Sequence, residues 1–154
     1  EQQDDDIIVL PHVKDDTDTQ YAAHWLLEHG YDEITLLGAL GGARLEHTLA
    51  NLATGLYLAK NGVNVLLANE RSELRYLVPD RGLILQRRDW KYLSLFPMEG
   101  RLTGVCIRGA FYPLENAVLT ADYPLGVSNE FIADTAQLQC SGGCGLVVLT
   151  RDDA

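Results

Sequence analysis

The feature that most constrains this chain is a change of rhythm near residue 70. Before it, short apolar runs alternate with helical stripes. Residues 7–10 form a continuous apolar run of the kind a strand buried on both faces requires. Over residues 18–29, Tyr21, Ala22, Trp25 and Leu26 recur at helical spacing, and Gly30 stops the pattern. Residues 34–37 predict a second strand. The turn Gly38-Ala39-Leu40-Gly41-Gly42 leads into a second helix with Leu45, Leu49, Leu52 and Leu56 on one stripe, ending at Asn61-Gly62. Residues 63–67 predict a third strand. Strand, helix, strand, helix, strand at such short spacing implies a parallel sheet with crossover helices.

After Asn69 no long helical pattern recurs. Short β-rich runs at 74–78, 83–86, 92–96, 102–107, 136–140 and 146–149 predict antiparallel strands packed as a sandwich or jelly roll. The expected architecture is therefore α/β plus all-β, with a boundary near residues 68–73 and no internal repeat. At 154 residues and 47% hydrophobic, the chain is large enough to bury a real core.

Composition narrows the function classes. No apolar run approaches the roughly 20 residues of a membrane-spanning helix, and the opening EQQDDD lacks the basic start and apolar middle of a secretory leader. The expectation is a cytoplasmic protein with no membrane partner. Three cysteines argue against a disulfide framework, and Cys140 and Cys144 lack the further ligands of a structural zinc site. A net charge of −10, with only Arg87, Arg88 and Lys91 near one another, argues against nucleic acid. Such a protein suits a cationic ligand. An anionic one needs a metal ion or backbone amides to mediate.

Three segments carry groups capable of chemistry. Lys14-Asp15-Asp16-Thr17-Asp18 follows the first strand and opens a helix, so it lies where ligands bind in parallel sheets. Its carboxylates are hard oxygen donors suited to Mg²⁺ and its phosphate partners. The same residues are also favoured helix caps and first-turn residues, and that role alone accounts for them. Gly41-Gly42-Ala43-Arg44 precedes the second helix, where exposed amides and an arginine bind phosphate; alternatively, the glycines only permit a tight bend. Glu46 and His47, one turn further on, are either ligand-facing groups or, for Glu46, a complement to the helix dipole. Gly126-Val127-Ser128-Asn129-Glu130 offers small polar groups that can read the edge of a ring, or makes an ordinary turn. Ser94-Leu95-Phe96-Pro97 reads as strand core ending at a proline, and Trp25 and Trp90 as packing residues.

Taken together, LPHVKDDTDTQYA, GALGGARLEHTLANL, the pair SLFP and YPL, and GVSNEF resemble the thiamine pyrophosphokinase family, from about Ile8 to Leu149 and in the family's order. The resemblance implies a partial Rossmann-like catalytic α/β domain over residues 1–70 and a β-sandwich, jelly-roll-like, thiamine-binding domain over 71–154. It implies a homodimer with each site built between subunits, Mg²⁺ as cofactor, and ATP and thiamine as substrates. By similarity, Asp18 binds Mg²⁺ or approaches the phosphates, with Asp15 as a second metal ligand and Lys14 and Thr17 in support. Gly41, Gly42 and Arg44 lie near phosphate; Glu46 and His47 near thiamine; Ser128 and Asn129 face its pyrimidine. Asp18, Arg44 and Glu46 form the implied catalytic set. Two departures accompany this: Glu46 stands where the family has Asp, and Ala43 is an added residue before Arg44. The family's acidic GDFDS segment belongs before the strand at Ile7, so the N-terminal part of the α/β domain is expected to be missing.

The implied reaction is attack of thiamine's hydroxyl on the β phosphorus of ATP, releasing AMP. It depends more on alignment and charge neutralisation than on a strong base. Asp18, Glu46 and His47 are all candidate bases. The alternatives are a non-catalytic β-sandwich module that binds a small ligand, and an ATP-dependent pyrophosphotransferase acting on another alcohol.

Overall fold

A computed structural model describes residues 17–79 and 81–152. The predicted strand at 7–10, together with Lys14 and Asp15, lies outside them. The elements, in order, are α1 (Asp18–Glu28), β1 (Glu33–Leu37), α2 (Leu45–Lys60), β2 (Asn64–Ala68), β3 (Ser72–Leu77), β4 (Leu83–Gln86), β5 (Tyr92–Pro97), β6 (Arg101–Arg108), β7 (Leu114–Thr120), β8 (Asn129–Glu130), β9 (Thr135–Gln139) and β10 (Gly145–Thr150).

Local chemistry sets the helix ends. Thr17 Oγ1 accepts the Gln20 amide at 3.1 Å and so caps α1. α2 stops at Asn61-Gly62, where the Val63 amide reaches back to the Leu58 carbonyl at 3.1 Å and Gly62 takes φ +87°.

Two sheets form. Among the described residues, one has six strands in the order β1-β2-β3-β10-β5-β8, the other four in the order β4-β9-β6-β7. β1 and β2 are parallel, joined through α2; every other pairing among the described residues is antiparallel. The expected α/β plus antiparallel-sandwich class is what the chain adopts. The six-stranded sheet, however, runs straight through the expected boundary at 68–73, because β2 and β3 pair across that turn.

The sheet serves two cores, one on each face. Period-two alternation directs Leu74, Tyr76 and Leu146 to the helix side, together with Leu58, Val65 and Leu67. Leu77, Leu93, Leu95, Val147 and Leu149 point the other way and pack on Leu102, Val105, Ile107 and Leu138 of the four-stranded sheet. Full burial of each such leucine stabilises the fold by about 2 kcal/mol.

The leucine stripe expected on α2 is only partly used. Leu45 and Leu49 are exposed, while the buried positions are Thr54, Gly55, Leu58 and Ala59. Tyr76 packs beside the inward small residues. Its ring lies against Gly55, where an added Cβ would sit 2.7 Å from Cε2, and its hydroxyl donates to the Leu52 carbonyl at 2.6 Å. β7 and β8 had no counterpart in the predicted strands; β8 is two residues long, and the β6–β7 pairing is broken by register shifts.

Candidate functional site

The carboxyl ends of β1 and β2 define the first candidate region. Leu37 is followed by Gly38, and Gly41 and Gly42 both lie at positive φ, +85° and +88°, values that only glycine adopts without strain. α2 itself holds this turn. Thr48 Oγ1 accepts the Gly41 amide at 3.1 Å and donates to the Gly41 carbonyl at 3.2 Å, and Asn51 Nδ2 donates to the Ala39 carbonyl at 2.9 Å. The Gly41 amide is thus engaged within the chain.

Arg44 is the N-cap residue of α2 and makes no side-chain cap bond. Its Nε donates to Glu46 Oε1 at 2.6 Å, and both side chains are exposed. Glu46's own backbone N–H, and after it the Arg44 guanidinium, hold the Glu46 carboxyl below its ordinary range. His47 lies exposed on the same turn, its amide bonded to the Arg44 carbonyl at 3.2 Å. Asp18 is exposed in the first turn of α1, beside the Thr17 cap. No three carboxylate, imidazole or thiol groups converge as a metal site among the described residues. Asp18 is the expected metal ligand within them.

The second region lies at β8. Ser128 is exposed at φ +58°, and its amide donates to Ser94 Oγ at 3.0 Å. Asn129 is buried. Its Oδ1 accepts the amides of Tyr112 and Glu130, each at 2.9 Å, and its Nδ2 donates to the Tyr112 carbonyl at 2.8 Å. Asn129 therefore spends most of its bonding capacity on fixing Tyr112. Beside it is an apolar cavity of about 440 Å³ lined by Tyr112, Pro113, Leu114, Leu125 and Val127.

These regions do not meet within one chain. Leu37, Ala68, Glu73, Leu149, Leu93 and Asn129 form one transverse row across the sheet. Five strand spacings of about 4.8 Å put Leu37 and Asn129 about 24 Å apart. Thr48 and Asn51 escaped the sequence reading, Ser94 was read as strand core, and the tie between Tyr112 and Asn129 was not foreseen. For Thr48 and Asn51 a signal existed: two polar residues three apart near the start of a helix that follows a glycine turn. The hydrogen bonds of Ser94 and Tyr112 left no local signal, since they join segments 34 and 17 residues apart.

Comparison with known proteins matches both regions to one family. Residues 1–67 match the model of the thiamin pyrophosphokinase catalytic domain, and residues 83–145 that of the thiamin pyrophosphokinase vitamin B1 binding domain. A crystal structure of a thiamin pyrophosphokinase family protein from Enterococcus faecalis aligns with a TM-score of 0.79 and 30% identity, over 95% of this chain and 68% of its own. The chain belongs to the thiamine pyrophosphokinase family. The thiamine pyrophosphokinase of Bacillus subtilis (strain 168) is 27% identical over 139 residues, 90% of this chain and 64% of that protein. A crystal structure of thiamine pyrophosphokinase from the same species aligns with a TM-score of 0.83 and 25% identity, again over 90% and 64%. This chain thus spans just under two thirds of those B. subtilis relatives. The family's catalytic-domain match contains the Gly41-Gly42 turn, Arg44 and Glu46; its vitamin B1 match contains Tyr112, Ser128 and Asn129.

Proposed function

We propose that the protein transfers the pyrophosphoryl group of ATP to the hydroxyl of thiamine, giving thiamine diphosphate and AMP. The observation that carries this reading is the division of its candidate residues between two edges of one sheet, each within a different domain match of the same family.

The separation of about 24 Å supports a homodimer in which the Gly41–Glu46 edge of one chain faces the Ser128 edge of another. Large exposed apolar side chains beside that second edge, Phe111, Tyr112, Leu125 and Ile132, suit a covered surface. In this arrangement Arg44 leaves Glu46 and takes a phosphate oxygen, an exchange of one charge-assisted bond for another. Glu46 then faces the cationic thiazolium. A carboxylate held low is a weak base, so its role is electrostatic, which leaves Asp18 and His47 as candidates for the hydroxyl proton. Ser128 and the cavity beside Tyr112 receive the pyrimidine, and Asn129 positions Tyr112. Mg²⁺, with Asp15 and Asp18 as its protein ligands, would neutralise charge on the transferred group.

The bond changes balance. The thiamine oxygen joins the β phosphorus, the bond from that phosphorus to the α-phosphate oxygen breaks, and AMP leaves with the electron pair. Cytoplasmic action is part of the same reading.

Incubating the intact protein with Mg·ATP and thiamine tests the proposal. AMP and thiamine diphosphate are expected in equal amounts. Thiamine binding without turnover would instead favour a binding module, and AMP release only with another alcohol a different transferase.

A further inference from the structure

Among the described residues, the buried polar side chains are those of Thr54, Ser94 and Asn129. Thr54 ties α2 to Gln20 of α1 at 2.8 Å, and Asn129 holds Tyr112. Ser94 has so far been given no role. It sits inside β5 between Leu93 and Leu95, which belong to the sandwich core, so its own side chain stands on the other face of the sheet. A buried hydroxyl needs a hydrogen-bond partner, and Ser94 Oγ finds one in the Ser128 amide, which donates to it at 3.0 Å.

That bond replaces a missing rung of the sheet. β5 and β8 are antiparallel with Leu93 opposite Asn129, and the same register carried on would set Leu95 opposite Val127. The Leu95 amide instead donates to the Gly126 carbonyl at 2.8 Å. Gly126 comes so close to β5 that an added Cβ would stand 2.5 Å from the Leu95 carbonyl oxygen. The segment 126–129 therefore carries one residue more than β5 can pair, which is a β-bulge. Ser128 stands within that bulge at φ +58°, in the left-handed region that favours glycine, and its side chain is exposed. A left-handed residue other than glycine persists where its surroundings hold it, and bulges recur where a side chain has to be re-aimed. Gly126, Val127 and Asn129, on either side of Ser128, line the apolar cavity of about 440 Å³.

We infer that Ser94 is a positioning residue for the ligand of this cavity: by accepting the Ser128 amide it fixes the left-handed bulge that presents the Ser128 hydroxyl at the cavity rim. It acts through the backbone of Ser128 and not by contact with the ligand. The inference rests on the reading of this edge as the thiamine pocket and adds a residue to it.

Calorimetric titration of intact Ser94→Thr and Ser94→Val proteins with thiamine, and separately with Mg·ATP, tests it. The two replacements share a shape and differ by the hydroxyl, so a packing change is common to both. Ser94→Thr is expected to bind thiamine within about twofold of the wild type and Ser94→Val about tenfold more weakly, the scale of one lost buried hydrogen bond, with Mg·ATP affinity unchanged in both. Ser94→Ala, which leaves space in place of filling it, should match Ser94→Val and decides the matter if valine disturbs the strand. In a Ser128→Ala background the loss caused by Ser94→Val should shrink to about twofold, because the hydroxyl it presents is already gone. Equal thiamine affinities for Ser94→Thr and Ser94→Val overturn the inference, as does a loss undiminished in the Ser128→Ala background or shared equally by Mg·ATP. If the wild type then still makes thiamine diphosphate, only the role of Ser94 falls. A wild type that binds no thiamine overturns the pocket and Ser94 with it. One that binds thiamine without turnover overturns the pyrophosphokinase reading alone, and the binding data still decide for or against Ser94.

Discussion

Gly42 and Gly109 both occupy the left-handed region, at φ +88° and +79°, yet they serve opposite ends. A Cβ added at Gly41 or Gly42 would meet nothing within 4 Å, whereas at Gly109 it would collide with the Thr135 carbonyl oxygen. In the sandwich, backbone packs on backbone and glycine is required by its neighbours. At the β1 edge, glycine makes a bend and leaves open space around it. Gly109 is fixed by the atoms around it, Gly42 by the bend alone.

Substitution at these two glycines gives the largest contrast. Gly109→Ala combines a strained φ with a steric clash and should cost about 3 kcal/mol in denaturant unfolding. Gly42→Ala carries only the strain, about 1 kcal/mol. Equal losses would break the comparison. Next in size, Arg44→Ala should lower kcat/KM about a hundredfold, the scale of one charge-assisted phosphate contact, with an unchanged melting temperature. A fall in stability instead would make the Arg44–Glu46 pair structural.

Subunit mixing sharpens the same contrast. If each site draws on both edges, combining inactive Arg44→Ala chains with inactive Ser128→Ala, Tyr112→Ala chains should restore about one quarter of the activity, because half the dimers are mixed and each of those has one intact site. No recovery would confine the site to a single chain. The smallest effect is a pH effect. Arg151 lowers the Asp89 carboxyl below its ordinary value of 3.8. The stabilisation this pairing supplies is therefore present above that value and lost as pH falls through the lower folded one. A small melting-temperature gap between wild type and Asp89→Asn at pH 6 should narrow as pH falls below 3.8, and a gap that stays constant would rule the pairing out as its source.

The helices and most of the strands could be read from the sequence because period and punctuation agree there: Thr17 before α1, Asn61-Gly62 after α2, and short apolar runs in β3 and β10. β7 hid because Glu115 and Asn116 interrupt its apolar positions, with Asn116 at φ +50°, and the β6–β7 register shifts along the pair. The α2 stripe misled because hydrophobicity alone does not reveal that Tyr76 needs a small-residue face. At the site, the Gly41–Glu46 segment was legible as a local motif. Away from it, the contacts of Arg151 were not, since the Glu70 carbonyl and Asp89 lie 81 and 62 residues away.

β3 and β10 belong to both cores at once, showing Leu74, Tyr76 and Leu146 to the helices and Leu77, Val147 and Leu149 to the opposing sheet. The two sequence blocks that match separate family descriptions therefore share one sheet. Severed within the turn 69–71, one piece would keep its helices on β1 and β2 but lose Leu74, Tyr76 and Leu146 from that core, and the other would be a sandwich with one greasy outer wall. Neither would be expected to stay in solution alone, and the joined chain should melt in one step.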